Sequence, residues 1–219
     1  RKAVGRRNEA SLLENTINQL DAEDCLRKVP NIVAYGSTQE ERLFNVAMEL
    51  CITWINRILF LKLLEAQMLK YHNGEQCYKF LSIKKIRDFD DLNTLFFQVL
   101  ARNVHQRTAS ILKDFEYVPY LNSSLFEVTE LESNTIKINS LSQRTELPLF
   151  TNSVLINRKE KQQFSSLPTL SYLFAFLDAY NFASEGSEEV QEEAKTLINA
   201  SVLGLIFEKI NGHKDGSVF

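Results

Sequence analysis

The residue types that support catalysis are present in this chain, but their spacing does not bring them together. Asp88, Asp90 and Asp91 form an acidic trio of the kind that can hold a metal ion. They also open an apolar stretch with helical spacing, where carboxylates cap a helix and face the positive end of its dipole. Capping is the expected role. Glu193-Ala194-Lys195 has the Glu-x-Lys spacing of metal-dependent nucleases. Such a pair works on a strand near a preceding Asp, whereas this one falls in the middle of a helical pattern. Cys25, Cys51 and Cys77 are scattered, odd in number and without metal-ligand spacing, and His72, His105 and His213 do not cluster with them. Gly-rich phosphate loops, His-Glu-x-x-His and a Gly-x-Ser-x-Gly elbow are absent. The expectation is therefore no catalytic residue, no metal site and no cofactor held by this segment alone.

Positive charge is the other candidate chemistry. Arg1, Lys2, Arg6 and Arg7 make a basic lead-in, read as a solvated junction in preference to a phosphate-contacting arm. Lys84, Lys85, Arg87, Arg102 and Arg107, with His105 and Lys113 among them, are the DNA-binding candidates. The competing reading of these positions is ordinary solvated faces. A net charge of −3 does not advertise nucleic-acid binding, although a local patch acts within a neutral total.

The elements that position these residues follow from composition and pattern. In 219 residues, 44% are hydrophobic and 24% charged, which are the proportions of a soluble globular protein of one large or two small domains. Seven Gly and four Pro favour helices over turn-rich β architecture. No secretory signal or membrane span is recognisable, and the unpaired cysteines fit a reducing cytoplasm. The chain opens on Arg1, and Phe219 falls inside what reads as an unfinished motif, so an excised piece of a longer polypeptide is expected.

Ser37–Tyr71 is the longest patterned stretch. Leu43, Val46, Ala47, Leu50, Trp54, Ile58 and Leu61 recur at steps of three and four, with Cys51, Ile55 and Leu64 widening the stripe. Ser37 or Thr38 can cap its start, and Glu40 and Glu41 suit the dipole. A helix of this length spans about 50 Å and needs other elements wrapped around it. Asn56, Arg57, Lys62 and Glu65 interrupt its apolar second half. Arg57 and Lys62 either snorkel outwards, or Arg57 is partly buried and paired. Glu65 lies two turns further on, so a carboxylate partner for Arg57 would come from another segment.

The rest of the chain predicts shorter elements. Asn8–Leu20 is an amphipathic helix, Asp21–Arg27 continues it or makes a further turn, His72-Asn73-Gly74 is a turn and Gln76–Leu81 a short helix. Asp88 caps a helix over Asp90–Arg102. From Tyr117 to Phe150 the texture changes to loops and short strands, with Pro119, Pro148 and the alternation of Ile136 and Ile138. Helices resume over Leu167–Phe182, with Pro168 in the first turn, and over Glu188–Ile210, ended by Gly212. The predicted fold is mainly α, a helical bundle around one long central helix with a small β/loop excursion around residues 117–157. Its parts are N-terminal helices over 1–36, central helices over 37–116, an insertion over 117–164 and C-terminal helices over 165–219.

Three segments in this order resemble the single-chain type II restriction–modification enzymes that fuse a nuclease, a helical connector and an adenine-N6 DNA methyltransferase. They are Ile55-Asn56-Arg57-Ile58-Leu59-Phe60-Leu61-Lys62-Leu63-Leu64-Glu65, Val118-Pro119-Tyr120-Leu121-Asn122-Ser123-Ser124-Leu125-Phe126-Glu127, and Leu203–Ile210 followed by Lys214–Phe219. The second departs from the family pattern, which usually has Gly at one or both of positions 123 and 124. The third leads in that family into a Tyr-Thr-Pro sequence that helps bind S-adenosylmethionine. The resemblance spans roughly residues 40 to 219 and implies a connector without catalysis of its own. It would pack against an adjacent methyltransferase domain in the same chain and work on DNA. It also implies S-adenosylmethionine for the parent, with magnesium if a nuclease is present. Gly216 and Phe219 would border the cofactor pocket. Asn56, Arg57, Glu65, Pro119, Asn122 and Phe126 are the structural motif residues, with Asn122 organising its turn and Leu125 and Phe126 plugging the loop onto the core. The alternatives are a free-standing helical protein–protein interaction module and, less in keeping with the empty chemistry, a compact nuclease.

Overall fold

A computed structural model describes residues 8–150, 153–155, 165–182, 197–198, 205 and 208. The basic lead-in Arg1–Arg7, most of the helix expected over 188–210, and Gly212, Gly216 and Phe219 lie outside the described residues.

Helix α2, Gln39–Tyr71, is the axis of the fold, and its 33 residues span about 50 Å. It begins where the sequence signals: the Thr38 hydroxyl accepts from Glu41 N–H, and the Glu41 carboxylate reaches back to the Thr38 N–H, a reciprocal capping box. It ends where Asn73 and Gly74 turn left-handed (φ 52° and 81°) and Gly74 N–H donates to Leu69 C=O. All seven residues of the expected stripe are buried, and Arg57, Lys62 and Glu65 are buried on the same side. Ile55 and Leu64 are only half-buried.

Shorter helices clothe this rod. Helix α1, Leu12–Ala22, packs along α2 and is followed by a 3₁₀ turn over Cys25–Lys28. Helix α3, Phe89–Thr94, is capped by Asp88 and continues as one wider π-type turn over Leu95–Leu100. Helix α4 is Ala109–Asp114, α5 is Glu130–Asn134 and α6 is Thr169–Asp178. Strand β1, Glu146–Pro148, pairs antiparallel with β2, Ser166–Pro168. Strand β3, Asn181–Phe182, pairs in parallel with β4, Leu197–Ile198. The architecture is thus mainly helical around one long helix, with small two-stranded sheets. No described helix is long and apolar enough to cross a membrane.

Several local expectations are corrected. Gln76–Leu81 forms only a 3₁₀ turn over Gln76–Tyr78. Leu197–Ile198 are extended where a helix was expected, although Leu205 and Glu208 are helical. Pro168 ends β2 and precedes α6 instead of lying within its first turn. Ile136 and Ile138 are both buried as their alternation implies, but they pair with no strand; Ile138–Ser140 is a 3₁₀ turn, and Glu130–Asn134 is an unanticipated helix. Burial on one side, without a partner strand, accounts for the alternation.

Side chains far apart in sequence lock the insertion to the N-terminal helix and the C-terminal part to the turn just before it. Asn15 exchanges two hydrogen bonds with the Ser142 backbone, at 2.6 and 3.1 Å. Thr169 Oγ1 donates to Ala10 C=O at 2.6 Å.

Candidate functional site

Arg57 enters the core because it continues the apolar stripe. Trp54, Arg57, Ile58, Leu61, Lys62 and Glu65 follow one another by alternating steps of three and one, so one face of α2 carries them all. The side chain is fully buried. Its guanidinium forms a bidentate ion pair with Glu132, Nη1 to Oε1 at 2.6 Å and Nη2 to Oε2 at 2.9 Å. Nε donates to Leu125 C=O and Nη2 to Glu127 C=O, both at 2.7 Å. Phe96 and Phe97 lie under the guanidinium carbon, with ring centroids 5.5 and 5.0 Å away.

Glu132 is equally committed. Its Oε1 also accepts from Trp54 Nε1 at 2.8 Å, and its Oε2 from the Thr129 N–H and hydroxyl at 2.9 and 3.1 Å. This is the capping box of α5, which explains why a five-residue helix forms there. Burial pushes the Glu132 carboxyl up, but Arg57, Thr129 and Trp54 together hold it below the usual carboxylate range. An ion pair therefore sits inside the core, with all three guanidinium nitrogens and both carboxylate oxygens hydrogen-bonded.

A second buried arginine holds the other end of the same loop. Arg107, 6% exposed, donates from Nη1 to Val118 C=O at 2.7 Å, while Nη2 has no hydrogen-bond partner. Burial lowers its pKa from the ordinary arginine value. The segment Val118–Glu127 is thus gripped at Val118 by Arg107 and at Leu125 and Glu127 by Arg57. Between these points Phe126 is fully buried, with its ring 5.9 Å from Phe60 and 6.2 Å from Phe96. Phe126 therefore plugs the loop as expected, and Leu125 is half-buried. Asn122 is exposed and accepts from the Tyr120 hydroxyl, at 3.3 Å; the turn's backbone is instead organised by Ser123, whose Oγ accepts from Leu125 N–H. Ser123 has φ −138°, so the glycine usual in the resembling family is not required here. Pro119 and Asn56 are half-buried.

Glu65 serves a separate cluster. It accepts from Lys62 Nζ at 2.7 Å and from Leu81 N–H at 2.6 Å. Lys62 also reaches Asp178 on α6, at 2.6 Å, and Lys79 reaches the other oxygen of Asp178 at 2.8 Å. Burial alone would lower the Lys62 pKa, but Glu65 and Asp178 raise it above the ordinary lysine value. This cluster lines a polar cavity of about 380 Å³ with Gln76, Tyr180 and Asn181.

The basic positions do not form one face of free cations. Arg107 is removed from that set by its burial. Arg87 is exposed and paired with Asp91 at 2.9 Å, and Lys85 donates to Cys77 C=O at 2.8 Å; Lys84 and Arg102 are exposed. Asp88 caps α3 and Asp91 pairs with Arg87, as capping and dipole roles require. Among the described residues, no three His, Cys, Asp or Glu side chains are grouped to hold a metal ion.

The sequence expectations missed Glu132 and the buried role of Arg107. Glu132 had a readable signal, because Thr129-x-x-Glu132 is a capping-box pattern; Arg107 had none, since it lies between short elements. Neither curated proteins nor solved structures give a match to this chain. A family model does match, over residues 1–198, and the chain belongs to that family, described as a domain of unknown function (DUF7814).

Proposed function

We propose that this domain is the helical connector of a DNA adenine-N6 methyltransferase or restriction–modification polypeptide, a rigid spacer without catalysis of its own. One observation carries the reading. Arg57 lies in the first segment that resembles those enzymes, and its guanidinium bonds the backbone of the second at Leu125 and Glu127. Two segments separated by more than fifty residues are thus one physical unit, which is what a family-specific motif pair at a structural joint requires. The long α2 axis supports the spacer role, since a helix braced along both halves transmits position over about 50 Å.

In this reading the domain packs against a methyltransferase in the same polypeptide, in the cytoplasm, and DNA is the partner of the whole. S-adenosylmethionine belongs to the parent, with magnesium if a nuclease is present. Two measurements test it. Sequencing the native gene beyond Phe219 is expected to read Tyr-Thr-Pro, and titration calorimetry of the 219-residue chain with S-adenosylmethionine is expected to give no heat of binding. Tight binding by this chain alone, or a different continuation, overturns the assignment. Stable co-purification with an unrelated protein and no DNA-linked partner would favour the interaction-module alternative.

A further inference from the structure

Three basic side chains are buried among the described residues: Arg57, Lys62 and Arg107. Two of them have carboxylates. Arg57 meets Glu132, and Lys62 meets Glu65 and Asp178. Arg107, 6% exposed, has none. Burial is the sole influence on its titration, so no described carboxylate faces it. Asp114, at the end of α4, acts on Arg87 instead.

The three nitrogens of Arg107 are unevenly used. Nη1 donates to Val118 C=O at 2.7 Å, a full hydrogen bond. Nε reaches only Arg102 C=O, at 3.4 Å, beyond the usual range for an N–H donor. Nη2 has no acceptor. Nε and Nη2 share one edge of the planar guanidinium, and that edge takes an oxyanion through two parallel bonds. In Arg57 every nitrogen has a close acceptor. In Arg107 this edge is left unspent.

A cation buried without a counter-charge is costly, and a water molecule at Nη2 would satisfy a hydrogen bond without neutralising the charge. An anion does both. One guanidinium is balanced by one negative charge, and a carboxylate supplies that charge on two oxygens spaced for Nε and Nη2. The residues on either side, Arg102–Gln106 and Thr108–Ser110, are all exposed, so Arg107 is the one buried residue of that stretch. A side chain placed in this way lies just under the surface, and a rearrangement of the exposed loop is enough to admit a small group.

We propose that the Nε–Nη2 edge of Arg107 is a carboxylate-binding site. The ligand is a small carboxylate or the carboxylate side chain of another polypeptide, held side-on by two parallel hydrogen bonds. The inference uses neither the connector reading nor DNA.

The test is a titration of the 219-residue chain with acetate, replacing chloride at constant ionic strength, followed by the ¹H–¹⁵N signals of the arginine Nε–H groups. The Arg107 signal, identified by its absence in Arg107→Lys, is expected to shift saturably with half-saturation at or below about 10 mM. The Arg57 signal is expected to stay in place, because its nitrogens are taken. A glutamate residue capped at both ends, titrated in the same way, separates the two sources: binding as tight as that of acetate points to a protein side chain, and binding of acetate alone to a free small acid. Urea midpoints give a second readout. The wild-type midpoint should rise with the logarithm of acetate above half-saturation. Arg107→Lys should need about tenfold more acetate for the same rise, because an ammonium cannot make the two parallel bonds. In chloride, Arg107→Met should lose less than about half the stability that Arg57→Met loses, since it strands no carboxylate. No saturable shift at Arg107, which would leave water alone at Nη2, overturns the site. So does a shift of the same size at exposed Arg102, the mark of a general salt effect. An Arg107→Met variant as costly as Arg57→Met also overturns it, because the chain would then already supply the counter-charge.

Discussion

Replacing Arg57 by Met is expected to destabilise the domain far more than any change of comparable size on α2. Met preserves the unbranched stem and helix propensity, so what is lost is the guanidinium. Its loss strands the Glu132 carboxylate in the core, a break in a buried pair that costs about 3–5 kcal/mol. The Leu125 and Glu127 carbonyls also lose their donors. Against a total stability of about 5–15 kcal/mol, the variant should lose a large part of its cooperative transition. The companion Glu132→Met strands Arg57 instead and should cost a similar amount. The double variant removes both charges, and replacing a buried ion pair with apolar groups is often nearly neutral. Here Leu125 C=O, Glu127 C=O and Trp54 Nε1 remain without partners, so the double variant should stay destabilised, yet by roughly 2 kcal/mol or more less than the two single costs added. Urea unfolding followed by far-ultraviolet circular dichroism gives the free energies. Trp54 is the sole tryptophan and bonds Glu132, so its emission reports the clamp directly. An Arg57→Met variant within about 1 kcal/mol of wild type, or strict additivity of the two single changes, refutes the view that the clamp holds the loop to α2.

Phe126→Ala should cost about 3–5 kcal/mol in the same assay, because a fully buried ring between Phe60 and Phe96 leaves a cavity. Thr38→Ala should cost about 1 kcal/mol and fray the first turn of α2, detectable as faster amide exchange there. Stability should also form a plateau in pH. Glu132 and Asp178 have pKa values below their ordinary 4.5 and 3.8, so the stability they contribute is present above those values and is lost as pH falls through the lower folded ones. Lys62 is raised above 10.5, so its contribution is present below that value and is lost as pH rises through the folded one. Urea midpoints measured across pH should fall at both ends, and an acid limb no shallower in Glu132→Gln than in wild type would refute the assignment to Glu132.

The sequence alone determined the parts whose causes are local. A single stripe repeating every three or four residues specifies α2, and Thr38, Glu41 and Gly74 mark its ends because caps and left-handed turns are set by a few neighbouring residues. Asp88 opening α3 is legible for the same reason. The stripe also contained Arg57 and Glu65 in register, but register says only that a side chain faces inwards. Which carboxylate meets Arg57 depends on Glu132, seventy-five positions away, and on a loop brought back across Phe96. Chain folding in three dimensions decides such a pairing, and no local pattern encodes it. The same holds for Arg107, which is read as a surface cation in sequence and is buried against Val118 in the fold. It holds equally for the strands, since the pairing of Glu146–Pro148 with Ser166–Pro168 exists only where tertiary contacts bring two short extended segments side by side.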